Sequence, residues 1–204
     1  MGETVELYSL GDVDRSGKVR WTAAELGLTI EEQKVGYGAH RKPPYLDLNP
    51  YGQVPTARFR GEVLIESTAI CQVLADAISA PKLRIDPGEA GRNAYLYWIA
   101  IFTETMEGRL VECAVSKAGI LGPEYFDLHQ RTLRRKLRVV ASQLPDEGWL
   151  CGERFTLADI CAGYNLRLAV QAGLMESAPA YLGRLRDRPA AIESRIFASM
   201  KAQS

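Results

Sequence analysis

The chain has 204 residues, 47% apolar and 25% charged, a balance that excludes a disordered polymer and supplies a core without disulfide or metal staples. Its 25 basic residues match 25 acidic ones, so no global field draws it to nucleic acid or to an anionic membrane. No apolar run reaches the length of a membrane span.

In chain order, the N-terminal Met-Gly-Glu-Thr-Val-Glu lacks the basic and apolar regions of a signal peptide and the Ser or Thr that myristoylation at Gly2 requires, so a cytoplasmic protein is expected. Val5–Ser9 reads as a strand with Val5 and Leu7 on one face. Gly17–Gly27 reads as a helix carrying Val19, Ala23 and Leu26 and stopped by Gly27. Thr29–Val35 is extended again. After a loop rich in Pro and Gly, Thr56–Arg60 and Val63–Ile65 pair about a tight turn at Gly61. Ser67–Ile78 is a helix with Ser67 at its start. The order β-α-β, then β-β-α, is that of a thioredoxin-like α/β domain over residues 1–80. Ser79–Gly88, with Pro81, Pro87 and Gly88, breaks the pattern and places a linker at 81–88.

Residues 89–204 read as an all-helical C-terminal bundle. Glu89–Gly119 and Tyr125–Leu144 are long helices separated by Gly122-Pro123. Phe155-Thr-Leu-Ala-Asp159 opens another, with Thr156 as N-cap, Asp159 reaching back to it and Phe155 stapling Ile160. Pro179–Asp187 and Pro189–Met200 complete the set. The basic run Arg131–Arg138 carries Leu133 and Leu137, which continue to Val140 and Leu144, so it is a solvated helix with one buried face rather than a phosphate patch. Cys71, Cys113, Cys151 and Cys161 form no C-x-x-C and lie in apolar stretches, which predicts buried thiols. The two histidines, His40 and His129, are far apart in sequence, so no metal site is expected.

Two short motifs carry the chemistry: N-P-Y-G-Q-V-P at Asn49–Pro55, before the third strand, and E-S-T-A-I at Glu66–Ile70, opening the third helix. With the domain order, they resemble the cytosolic glutathione transferases over essentially the whole chain. The resemblance implies a cis Val54–Pro55 bond, which presents the Val54 backbone as an edge for an extended tripeptide. Glu66 and Ser67 sit at a helix N-terminus suited to a carboxylate. In the family that carboxylate is the γ-glutamyl end of glutathione, with Glu66 near its amino group. Gln53 and His40 match positions that touch the ligand, His40 at the glycyl carboxylate.

The family lowers the glutathione thiol pKa with a donor at the N-terminus of the first helix. Counted back from Gly27, that position is Val13, which cannot donate. A neighbouring slot holds Arg15, and Ser16 follows, matching a serine of some bacterial etherase-type relatives. Ser16 and Arg15 are therefore the catalytic candidates, ahead of Ser9 and Tyr8. An acceptor pocket is expected between the domains, walled by Trp98, Phe102, Met106 and Leu110 at helical spacing. That stripe equally describes helix core or a dimer seam.

The resemblance implies a homodimeric glutathione transferase with glutathione as co-substrate and no metal, directing the thiolate at a small hydrophobic electrophile. Two other readings stay open. One is a glutathione-dependent lyase, etherase or isomerase of bacterial catabolism; the other is a non-catalytic glutathione-binding scaffold that has lost the donor.

Overall fold

The computed structural model of the chain describes residues 3–175 and 179–200. The reading of the N-terminal Met-Gly pair lies outside them. The chain divides into two units. Unit 1 comprises Met1–Arg84 together with the segment that begins at Arg188; unit 2 is Ile85–Asp187.

Unit 1 is built on a four-stranded mixed sheet, matching the expected thioredoxin-like pattern. Its strands are β1 (Thr4–Ser9), β2 (Thr29–Lys34), β3 (Thr56–Phe59) and β4 (Glu62–Ile65), in the spatial order β2-β1-β3-β4. β1 pairs parallel with β2 and antiparallel with β3, and β3 pairs antiparallel with β4. Val5, Leu7 and Ser9 alternate onto the buried face of β1, the period of two that a half-buried strand requires. β2 is an edge, and its Thr-Ile-Glu-Glu-Gln-Lys sequence keeps that edge charged and unattractive to another strand. The β3–β4 turn has both central residues left-handed, Arg60 at φ 50° and Gly61 at φ 83°, the twist that suits a two-residue hairpin. Arg60 is tied there by two 2.6 Å bonds to Glu3.

Helix α1 (Ser16–Leu26) follows β1 and ends at Gly27, whose φ of 68° returns its N–H to Ala23 and Ala24. A short turn of helix, α2 (Tyr45–Leu48), precedes the N-P-Y-G motif, and α3 (Ser67–Ala77) follows β4. α1 packs against β1, β2 and α3 and carries buried Val19, Trp21, Ala23 and Leu26.

Unit 2 is helical: α4 (Arg92–Ala100), a π-helical segment (Ile101–Glu107), α5 (Gly108–Lys117), α6 (Pro123–Ala141), α7 (Leu157–Gln171) and α8 (Ala180–Arg186). α7 is its centre, with every residue from Leu157 to Ala169 buried. Its capping box forms as expected. The Asp159 carboxylate accepts the Thr156 N–H at 2.8 Å, and the Thr156 hydroxyl accepts the Ala158 N–H at 3.3 Å. Asp159 also accepts from the Leu150 N–H at 2.9 Å and the Tyr181 hydroxyl at 2.5 Å. Burial nevertheless pushes its carboxyl above the ordinary range, against the pull of those donors. On α6, Leu133, Leu137 and Val140 are buried while Arg131, Arg135 and Arg138 are exposed.

The last helix, α9 (Pro189–Glu193), departs from the expected division at 89–204. It and the residues after it pack on α1 of unit 1. Arg188 makes a bidentate pair with Glu25, both bonds 2.7 Å, and Arg195 pairs with Asp12 at 2.7 Å. Trp21 meets Phe197 edge-on at 5.6 Å. Gly17 permits this approach, because a Cβ there would stand 3.0 Å from Ile196 Cγ1.

Candidate glutathione site

The sheet register assembles the site. β1 ends at Ser9 opposite Lys34, the end of β2, and Tyr8 stands opposite Thr56, the start of β3. Thr56 in turn faces Ile65, the end of β4. The connections Leu10–Arg15, Val35–Pro55 and Glu66–Ser67 therefore leave one end of the sheet together. The N-termini of α1 and α3 start at that same end, each with the positive end of its dipole there. The first-turn N–H groups of α3 are those a helix start leaves without intrahelical partners, whereas at α1 the Ser16, Gly17 and Lys18 N–H groups are bound by Asp14 and Arg15. Lys18 on α1 reaches Thr68 on α3 at 3.4 Å, consistent with that proximity.

At the start of α3, Glu66 has φ 66°, a costly conformation for a residue with a side chain. Its C=O begins the helix by accepting the Ile70 N–H at 2.9 Å, and its carboxylate is exposed. Ser67 is 4% exposed beneath it. The Val54–Pro55 bond is cis. Pro55 is buried, Val54 half-buried and the Gln53 side chain exposed. His40 lies on a 3-10 turn (Ala39–Arg41), buried, edge-on to Tyr37 at 6.0 Å. Its Nδ1 has no hydrogen-bond partner among the described residues, while Arg41 and Lys42 are exposed.

The start of α1 is arranged differently from the sequence expectation. The Asp14 carboxylate caps the helix, accepting the Ser16 N–H and the Leu10 N–H, each at 2.5 Å. Ser16 is fully buried, and its Oγ has no partner among the described residues. Arg15 is half-buried at the N-cap. Val13 is 67% exposed and stands free of the core. Ser9 is buried and engaged, donating to Glu32 at 2.5 Å and accepting from the Gly11 N–H at 3.0 Å. The Tyr8 hydroxyl donates to Glu6 at 2.5 Å, and this bond holds its pKa above the ordinary value. Neither Ser9 nor Tyr8 has a hydroxyl proton available to a ligand.

The expected acceptor wall is packed core of unit 2. Trp98, Phe102, Met106 and Leu110 are 6%, 0%, 1% and 0% exposed, and Trp98 stacks on Phe102 at 5.6 Å. They are covered because α4, the π segment and α5 all lie against α7. Glu104 and Arg109 are exposed. Among the described residues, no three His, Cys, Asp or Glu side chains group as metal ligands, and no helix is long and apolar enough to cross a membrane.

Sequence reasoning passed over Asp14 and three buried residues behind the Val54 turn: Tyr45, Asn49 and Thr56. Tyr45 donates to the Gln53 C=O at 2.8 Å, and Asn49 Nδ2 does so at 2.9 Å. The signals were present: Asp precedes a helix start in D-R-S-G, and Asn opens a turn in N-P-Y-G, where its Oδ1 accepts the Tyr51 N–H at 3.1 Å.

A four-stranded mixed sheet with two helix N-termini at one end, followed by a helical unit, places the chain in the class of thioredoxin-like domains joined to an all-helical domain. Comparison with known proteins gives the family. Residues 15–77 match the glutathione S-transferase N-terminal domain and residues 123–193 its C-terminal domain. Glutathione S-transferase GstA of Escherichia coli O157:H7 is 32% identical over 71% of this chain and 73% of its own. Maleylacetoacetate isomerase of Pseudomonas aeruginosa is 29% identical over 92% of each. The theta class glutathione S-transferase of Xanthomonas axonopodis pv. citri, solved with glutathione bound, superposes with a TM-score of 0.82. It is 25% identical and covers 99% of this chain and 100% of its own. The chain belongs to the glutathione S-transferase family.

Proposed function

We propose that this protein binds glutathione at the end of the unit 1 sheet and transfers its thiol to a small apolar electrophile. The observation that carries the reading is the convergence at one sheet end of the Val54 turn, the buried His40 and the Glu66–Ser67 helix start. In this assignment the γ-glutamyl carboxylate lies on the N–H groups that open α3. The peptide runs along Val54 as an added strand, and His40 Nδ1, the orphaned buried atom, serves the glycyl carboxylate.

The sulfur then falls near the α1 start. Arg15 and Ser16 remain the side chains nearest in sequence to that start, but the buried Ser16 hydroxyl points the assignment toward backbone donors. The Val13 and Asp14 N–H groups, which have no partner among the described residues, are the donors we assign to the thiolate. The exposed Val13 side chain beside them favours an apolar acceptor. Calorimetric titration with glutathione, followed by turnover with aromatic halides, aryl ethers and a cis-unsaturated diketo acid, tests the reading and selects among transferase, etherase and isomerase. Absence of binding at millimolar glutathione removes it.

A second reading, glutathione binding without thiol activation, is favoured by the combination of Val13 at the donor position and the Asp14 carboxylate capping α1, which places a negative charge where a thiolate would sit. The pKa of bound glutathione separates the two: an unshifted thiol with intact binding supports the second.

A further inference from the structure

The Gln53 carbonyl is held by a closed network of three buried side chains. Tyr45, Asn49 and Thr56 are 7%, 2% and 0% exposed. Tyr45 Oη lies 2.8 Å from the Gln53 oxygen and 2.7 Å from Thr56 Oγ1. Asn49 Nδ2 lies 2.9 Å from the same carbonyl and 3.0 Å from the same hydroxyl. Only one placement of protons gives each donor an acceptor. The two Asn49 amide protons go to the Gln53 oxygen and Thr56 Oγ1, Thr56 donates to Tyr45, and Tyr45 donates to Gln53. Burial raises the Tyr45 pKa and keeps the phenol neutral, so it remains a donor well above neutral pH.

The Gln53–Val54 peptide is not among the cis bonds. In a planar trans peptide the C=O and the following N–H point in opposite directions. Fixing the Gln53 oxygen toward the network therefore fixes the Val54 N–H away from it. The β3 ladder begins only at Thr56, and among the described residues neither the Val54 N–H nor its C=O has a partner. A backbone donor is thus held rigidly outward at a strand end.

We propose that Tyr45, Asn49 and Thr56 are positioning residues that aim the Val54 N–H at a peptide carbonyl of the ligand. This rests on the glutathione reading above and names the part of the ligand the site measures: an extended backbone rather than the thiol. Changes in the network alter affinity through the orientation of one amide.

The test uses the full chain, glutathione, and the variants Asn49→Asp, Thr56→Val and Thr56→Ser. Asn49→Asp keeps shape but removes both donors. Thr56→Val removes the hydroxyl that relays them, and Thr56→Ser restores it. Calorimetry gives Kd, the amide ¹⁵N–¹H spectrum gives the Val54 shift at saturation, and thermal scans report folding. Expected results are a downfield Val54 amide in bound wild type, with roughly 5- to 10-fold weaker binding and a reduced shift for Asn49→Asp and Thr56→Val. Thr56→Ser should match wild type in both. Should Asn49→Asp fail to fold, the valine and serine pair at Thr56 decides alone. Folded variants of lower thermal stability that keep the wild-type Kd and Val54 shift would overturn the positioning role and leave glutathione binding intact. A wild type that binds no glutathione overturns the function itself and the positioning role with it.

Discussion

Replacing Val13 by serine should add a side-chain donor to the thiol beside the backbone N–H groups assigned to it. The side chain is 67% exposed, so the change costs the fold little, within about 0.5 kcal/mol. A neutral hydroxyl donating to a bound thiolate contributes about 1.5–3 kcal/mol. At roughly 1.36 kcal/mol per pKa unit, that lowers the thiol pKa by about 1–2 units from about 8.5. At pH 6.5 the thiolate fraction then rises from about 1% to about 10–50%. Nucleophilicity falls as pKa falls, with a Brønsted coefficient of about 0.4–0.5, so the net gain in rate is about 3- to 10-fold. At pH 9.5, where both forms are ionised, the same coefficient makes the variant about 2- to 9-fold slower. The assay is kcat/KM with a chlorodinitrobenzene across that range, with bound thiolate followed by ultraviolet difference absorbance. An equal change at both pH values, or no change while glutathione still binds, refutes the placement of the sulfur beside Val13.

Three further outcomes follow from the packing. Ser16→Ala removes a buried hydroxyl without a partner among the described residues. Stability by denaturant titration should hold or rise by up to about 1 kcal/mol, with turnover unchanged; a loss of turnover returns Ser16 to the catalytic role. Cys151, half-buried, has its thiol pushed up to about 11. At pH 8 its thiolate is about 100-fold scarcer than for an ordinary thiol, so native alkylation followed by mass spectrometry should lag that of the unfolded chain by a similar factor. Equal rates would contradict this burial. Asp159→Asn sets an amide against donors, because Oδ1 receives Leu150 and Tyr181 while Oδ2 receives Thr156, and it should cost about 1–3 kcal/mol at neutral pH. Because burial raises the Asp159 pKa, the folded state binds its proton more tightly than the unfolded state. Its contribution is fully present below the ordinary 3.8 and is lost as pH rises through the folded value. Wild type should therefore gain stability relative to the asparagine variant on the acid side of that window; a difference independent of pH contradicts the raised pKa.

Features that depend on near neighbours were readable from sequence. The β3–β4 turn falls at Gly61 as read, although Arg60, read as the end of the strand, belongs to the turn; α1 stopped at Gly27, and the Thr156–Asp159 box closed as its spacing requires. Features decided by distant packing were not. Nothing near Arg188 reveals that its segment returns to α1, since its partners Glu25 and Asp12 lie at the other end of the chain. The Trp98–Leu110 stripe has the spacing of both a pocket wall and a core, and the covering helix α7 made it core. The π segment at Ile101–Glu107 leaves no Gly or Pro signal. At the site, the V-P and E-S motifs were legible because backbone geometry dictates them. The α1 start was not, because the cap belongs to Asp14 and Ser16 turns inward.

The most direct measurement of the glutathione assignment is a ¹⁵N–¹H titration of the whole chain with reduced glutathione. Saturable shifts should concentrate at Val54, at Ser67 and Thr68, and along Leu10–Arg15, the segments that the register brings to one end of the sheet. Spectra unchanged at millimolar ligand, or shifts confined to residues away from that end, would contradict it.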